Sequence, residues 1–142
     1  MKVNELRIGD WVLYNDLYCK IIGIDKIGMD EDRVLVEYHN GDTDYCYIGY
    51  IEPIEITEEV LVKIGFKEKI GYINYSKVFY DENNHCDSTN IYYCPRLKHF
   101  KFTHDKSKEV DLQMMDLYNI KYLHQLQNAY YCITNQEMEI KL

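Results

Sequence analysis

Basic residues are scarce in this chain, where 16 Lys and Arg stand against 24 Asp and Glu, giving a formal net charge of −8 and a pI near 5.0. Binding to a nucleic-acid backbone needs clustered Lys and Arg to displace counterions, so this balance speaks against nucleic acid as a partner. Long apolar runs are missing as well. None approaches the roughly 18 residues of a membrane span, and the opening MKVNELRIGD has no signal-peptide core. A soluble protein of a cytoplasm, with no membrane partner, is the expectation. The five cysteines (Cys19, Cys46, Cys86, Cys94, Cys132) are odd in number, widely spaced and without a CxxC pair, which points to reduced thiols rather than a disulfide framework. No P-loop and no GxGxxG is present.

What the chain does have is tyrosine, 15 of them in 142 residues. Each offers a flat apolar face and a hydroxyl, at home in strands and cores and equally suited to stacking on a ligand. A hydrophobic content of 46% and a mean hydropathy of −0.44 fit a globular chain forming one domain or two small lobes.

Residues 6–56 read as short strands separated by turns: 6–8 leading into Gly9-Asp10, then 11–14, 18–24, 34–38, 45–48 and 50–56. Asn40-Gly41 is the strongest hairpin signal and Pro53 belongs at an edge or strand end. The pattern IGDWVLY, KIIGID, VLVEYHNGD and YIEPIEI resembles SH3-like barrels, with Trp11 expected in the core. Thr57 can cap a short helix over 57–64, with Gly65 in the left-handed position after it and Phe66 folding back on Leu61. Strands are expected at 72–80, 91–94 and 97–103, a polar loop at 104–109, and either strand or helical turn at 110–117. Leu123, Leu126, Tyr130 and Ile133 repeat at helical spacing, so 119–134 reads as the main helix, followed by an alternating strand over 137–142. The expected fold is therefore α+β: an SH3-like small barrel over 1–56, then a lobe over 57–142 whose antiparallel strands pack on the helix at 119–134.

The segments MKVNELRIGDWV, IEPIEITEEVLVKIGF and KYLHQLQNAYYCITNQEMEIKL are together similar to a family of small uncharacterised accessory proteins of gut Bacteroides-type bacteria, their mobile elements and phages. The resemblance covers both ends and the junction. It implies a setting, a phage or mobile-element protein in a bacterial cytoplasm, and no activity.

Several side-chain groupings are candidates for chemistry. His85, Cys86, Cys94, His99 and His104 are the richest metal set, but Cys86-x7-Cys94 misses the short spacing of a zinc site, so no metal or cofactor is expected. Cys94 with His99, or Cys132 with His124, supplies a thiol and a base with no local feature that would activate the thiol. An enzyme is therefore not expected. The segment 92–101 differs in kind: Arg96, Lys98, His99 and Lys101 sit beside Tyr92 and Tyr93 in an acidic protein. Cations for phosphate and aromatic faces for a base are what a small anionic, nucleotide-like ligand requires. His124, Gln127 and Asn128 on the main helix can either hold a neighbouring loop or read a ligand edge. The candidate ligand-binding residues are thus Tyr93, Arg96, His99, Lys101, His124, Gln127 and Asn128. The expected function is a non-enzymatic anti-defence protein that sequesters a small nucleotide signal of bacterial immunity; the alternative is an SH3-like interaction module binding a host or phage protein through its groove and exposed tyrosines. An acidic surface that mimics DNA is a third reading, and association of copies into a homo-oligomer remains open.

Overall fold

The computed structural model describes residues 3–25, 32–69, 74–80, 88–106 and 109–142. Asn15 and Asp16 both adopt left-handed φ (52° and 62°), a two-residue turn that joins β1 (Trp11–Tyr14) to β2 (Leu17–Asp25). β3 (Arg33–Tyr38) returns to β4 (Thr43–Tyr47) through Asn40-Gly41, where Gly41 has φ of 83° and its N–H donates to the Tyr38 carbonyl at 2.9 Å. A 3-10 turn over Ile48–Tyr50 then leads to the two-residue β5 (Ile51–Glu52). The five strands form an antiparallel sheet in the order β4-β3-β2-β1-β5. The register shifts by one residue between Ile21 and Gly23, a bulge that bends the long β2 and helps curl the sheet into a half-barrel. Its core cluster buries Leu6, Val12, Cys19, Ile21, Val34, Val36, Cys46 and Ile51, with Tyr14, Ile24, Tyr38 and Ile48 packed against them. Each fully buried Val or Ile contributes about 1.5–3 kcal/mol. Trp11 is buried, on the side of β1 opposite Val12.

The chain divides into two compact units, one of Met1–Ile56 with Lys121–Glu137 and the other of Thr57–Ile120 with Met138–Leu142. The main helix α2 (Leu123–Thr134) therefore belongs with the half-barrel, and not with the C-terminal strands as its place in the sequence suggested. The reason lies at the end of β5. β5 pairs with β1 only at Leu13 and Tyr14, which leaves Trp11 N–H and Gly9 C=O beyond its reach. The Gln127 side chain takes both, accepting from Trp11 N at 2.9 Å and donating Nε2 to Gly9 O at 3.0 Å. A helical amide thus stands in for the missing strand. Pro53 follows β5, and the next carbonyl, Ile54 O, accepts from Leu123 N at 2.9 Å at the helix start. Leu123, Leu126 and Tyr130 are buried, Gln125 Oε1 reaches back to Lys121 N and Tyr122 N, and Asn135 ends the helix with φ of 57°.

In the other unit, α1 (Glu58–Lys63) has the ends its sequence specifies. Thr57 Oγ1 accepts from Val60 N, Gly65 takes φ of 92°, and Phe66 N donates to Leu61 O. β6 (Lys67–Lys69), β7 (Asn74–Tyr80), β8 (Ser88–Cys94), β9 (His99–Lys106) and β10 (Glu109–Tyr118) form an antiparallel meander in the order β10-β9-β8-β7-β6. The open segment 110–117 is strand, and β9 and β10 consume most of the expected loop at 104–109. Tyr75, Ile91, Phe100 and Phe102 share the buried face; Tyr75 bonds Glu58 from that face, and Lys77 Nζ reaches Ile64 O and Glu139 O. The expected last strand over 137–142 is not a strand. Its alternation is real, with Met138 and Ile140 buried while Glu139 and Lys141 are exposed, but the Glu139 carbonyl is taken by a lysine side chain rather than by a neighbouring strand.

Candidate functional site

The aromatic-basic segment spans the end of β8, the turn 95–98 and the start of β9. Ladder register decides what its side chains can share, because directly opposed residues lie on one face and successive residues alternate. Tyr93 opposes Phe100 and Tyr75, so it lies on the covered face, its ring 4.6 Å from that of the buried Phe100. Lys101 opposes Tyr92, and His99 opposes Cys94, on the other face. A ligand stacked on Tyr93 is therefore separated by the sheet from Lys101 and His99. His99 is engaged there already, its ring stacked 5.5 Å from Tyr118 and its Nε2 3.8 Å from Asp116 Oδ1. Arg96 is exposed in the turn.

His124, Gln127 and Asn128 stand in the half-barrel unit, and their polar atoms face their own chain. Gln127 is 1% exposed and its amide is spent on β1. Asn128 Nδ2 donates to Glu5 O at 3.2 Å and Asp10 Oδ2 at 3.4 Å. Asp10 is fully buried and also accepts from Arg7 N at 2.8 Å. Burial pushes its pKa up to about 7, against the pull of the Arg7 N–H, the Arg7 guanidinium and Asn128. That guanidinium pairs with Glu137 at 2.9 Å and lies 3.8 Å over the Tyr131 ring. Among the described residues, Arg7 Nε, Asp10 Oδ1 and Asn128 Oδ1 are buried without a hydrogen-bond partner, as is Nδ1 of His124, whose pKa burial lowers while Glu5 opposes the shift. This cluster locks the helix onto the segment before β1.

An open concavity lies elsewhere in the same unit. Both hairpin turns, Asn15-Asp16 and Asn40-Gly41, fall at one end of the sheet, and between them is a cleft of about 480 Å³. Leu17, Tyr18, Tyr38 and His39 line it with Asp16, Asn40 and Asp42. Leu17 is 55% exposed and gives the cleft an apolar wall. Asn40 braces the second turn by donating to Asp42 Oδ2 at 2.6 Å and accepting from Asp42 N. Burial, together with Cys19 and Asp44, raises the Tyr38 phenol so that it stays protonated. A second cleft of about 290 Å³ adjoins the first turn, lined by Leu13, Asn15, Asp16, Gly49, Tyr50 and Glu52. Tyr50 is 69% exposed, whereas Tyr14 packs on the core. Sequence reasoning missed the first cleft, although two polar turn dipeptides at alternate hairpins of a meander were a sign that they share an end.

Of the residues weighed as a metal set, His85 and Cys86 lie outside the described residues, as does the side chain of His104; among the described residues no three metal-ligating side chains converge. Cys94 and His99 are direct cross-strand partners, yet among the described residues His99 Nδ1 has no hydrogen-bond partner, so the thiol is not engaged by it. Cys132 is exposed, whereas His124 is 2% exposed. No family model, curated protein or solved structure matches this chain.

Proposed function

We propose that the protein is a non-enzymatic interaction module whose half-barrel is SH3-like and docks an extended segment of another protein in the cleft between the two hairpin turns. The SH3-like reading is supported by the strand order β4-β3-β2-β1-β5 and by the 3-10 turn between β4 and β5. The observation that carries the docking reading is the cleft itself. Its volume is within the range of ligand-binding clefts, its lining combines an exposed leucine with two tyrosines, and polar groups stand beside them. On the resemblance at both chain ends, the partner is a host or phage protein in a bacterial cytoplasm. Sequestration of a nucleotide has less support, because Tyr93 and Lys101 are on opposite faces and the Gln127 amide is committed to the backbone. The test is a peptide-display selection against the intact protein, with Leu17→Arg as the counter-target. Enriched sequences should bind the parent at micromolar concentration and fail on the variant, whose melting temperature should stay near that of the parent because Leu17 is largely exposed. Enrichment of sequences that bind both proteins equally would refute the placement of the site.

A further inference from the structure

We propose that the two clefts beside the Asn15-Asp16 turn form one bipartite receptor for a positively charged extended segment, with one Lys or Arg side chain entering each cleft. This rests on the interaction-module reading and names the chemistry of its partner. The clefts adjoin at Asp16, which lines both. Among the described residues, Asp42 is the other carboxylate of the larger cleft and Glu52 that of the smaller, and no Lys or Arg lines either one. Asp42 is partly spent on Asn40, whereas Asp16 projects from the exposed turn.

Each cleft pairs its carboxylates with apolar and aromatic surface: Leu17, Tyr18 and Tyr38 in one, Leu13 and Tyr50 in the other. That pairing matches a side chain that is aliphatic along its stem and cationic at its head. The stem lies on leucine and tyrosine, and the head reaches a carboxylate or the face of a ring. An anionic or purely apolar occupant would leave the carboxylates uncompensated. The shared Asp16 makes the two clefts parts of one site, since a chain crossing the turn can place a cation on each side of it. The net charge of −8 adds long-range attraction for such a segment and raises its on-rate.

Fluorescence anisotropy with the full chain decides the matter. The probes are short peptides of one leucine-containing frame carrying two lysines at two- to six-residue spacings, one lysine, or glutamine in place of both. The best two-lysine peptide should bind about ten-fold tighter than the one-lysine peptide and tighter still than the glutamine peptide. Asp16→Asn, which keeps a residue suited to the left-handed turn, should erase the two-lysine advantage. Glu59→Gln removes the same charge from the exposed face of α1 and should leave binding unchanged. Equal binding of the glutamine and two-lysine peptides would overturn the cationic specificity while leaving the cleft as a docking site. Equal weakening by Asp16→Asn and Glu59→Gln would replace the receptor by diffuse attraction, and binding of no peptide would remove the interaction-module reading with it.

Discussion

Replacing Asp10 by asparagine should flatten the pH dependence of stability between about pH 4 and pH 7. In the unfolded chain an aspartate titrates near its ordinary value of 3.8, whereas the buried carboxyl of the folded protein titrates near 7. Between those values the native state keeps a proton that the unfolded state has released, so the native state is favoured most at low pH and loses that advantage as pH rises through 7. A displacement of about three units corresponds to about 4 kcal/mol across the window. Asparagine keeps an acceptor for Arg7 N and Asn128 Nδ2 and brings an N–H₂ group toward a site where Asn128 Oδ1 has no donor. The variant should therefore match the parent near pH 4 and be the more stable protein above about pH 7. His124 works in the other direction, because its lowered pKa withdraws stability as pH falls below about 6.5, so the informative quantity is the difference between parent and variant. Urea unfolding at several pH values supplies that difference. Parallel curves, with the same gap at every pH, would refute a buried protonated carboxyl at Asp10.

Gln127→Leu preserves volume but strands Trp11 N–H and Gly9 C=O, and should lower stability by about 2–4 kcal/mol in denaturant titrations; a loss below about 0.5 kcal/mol would mean that water replaces the amide. Gly65→Ala should lower stability by about 1–2 kcal/mol, because φ of 92° disfavours a side chain; the nearest neighbour of an added methyl, Lys77 Nζ at 3.5 Å, is at ordinary contact distance and adds little, and an unchanged melting temperature would contradict the turn. Trp11→Ala should lower stability by about 3–5 kcal/mol, measured the same way. In thiol labelling of the native protein Cys132 should react rapidly, while Cys19 and Cys46 should wait for unfolding, since they are buried and burial raises the Cys46 thiol to about 11 and the Cys19 thiol in the same direction. Rapid labelling of Cys46 would show that the half-barrel opens readily.

Local signals were legible where a single residue type decides the outcome. Thr57, Gly65, Gly41 and Asn135 each stand where their backbone preferences put them, and the 3-4-3 spacing of α2 names Leu123, Leu126 and Tyr130 of its buried face correctly, while Ile133 is only half-buried. The partner of that face was not legible, because periodicity reports that a stripe is apolar and is silent on which sheet it covers. What directs α2 is a pairing of Gln127 with Gly9 and Trp11 more than a hundred residues apart, and a glutamine beside an apolar stripe does not announce such a partner. The tail over 137–142 shows the same limit: alternation specifies which side chains are buried, while a strand also needs a neighbour with free backbone groups. Among the candidate site residues, Tyr93 and Lys101 looked adjacent because sequence distance hides the sheet between them, and the first cleft depends on two hairpin ends meeting, which is a property of strand order.

Because the half-barrel unit draws on Lys121–Glu137 as well as on the first 56 residues, its completion during synthesis has to wait for most of the chain. The last strand of its sheet leaves the ribosome about 75 residues before Gln127 does, on the order of 4–15 s earlier at ordinary elongation rates. Throughout that interval the Gly9 carbonyl and Trp11 amide remain an open edge, able to template a foreign strand. Nascent chains stalled before residue 121 should thus be held by chaperones and cut readily by proteases at the sheet, and resistance should appear in one step once the helix has emerged.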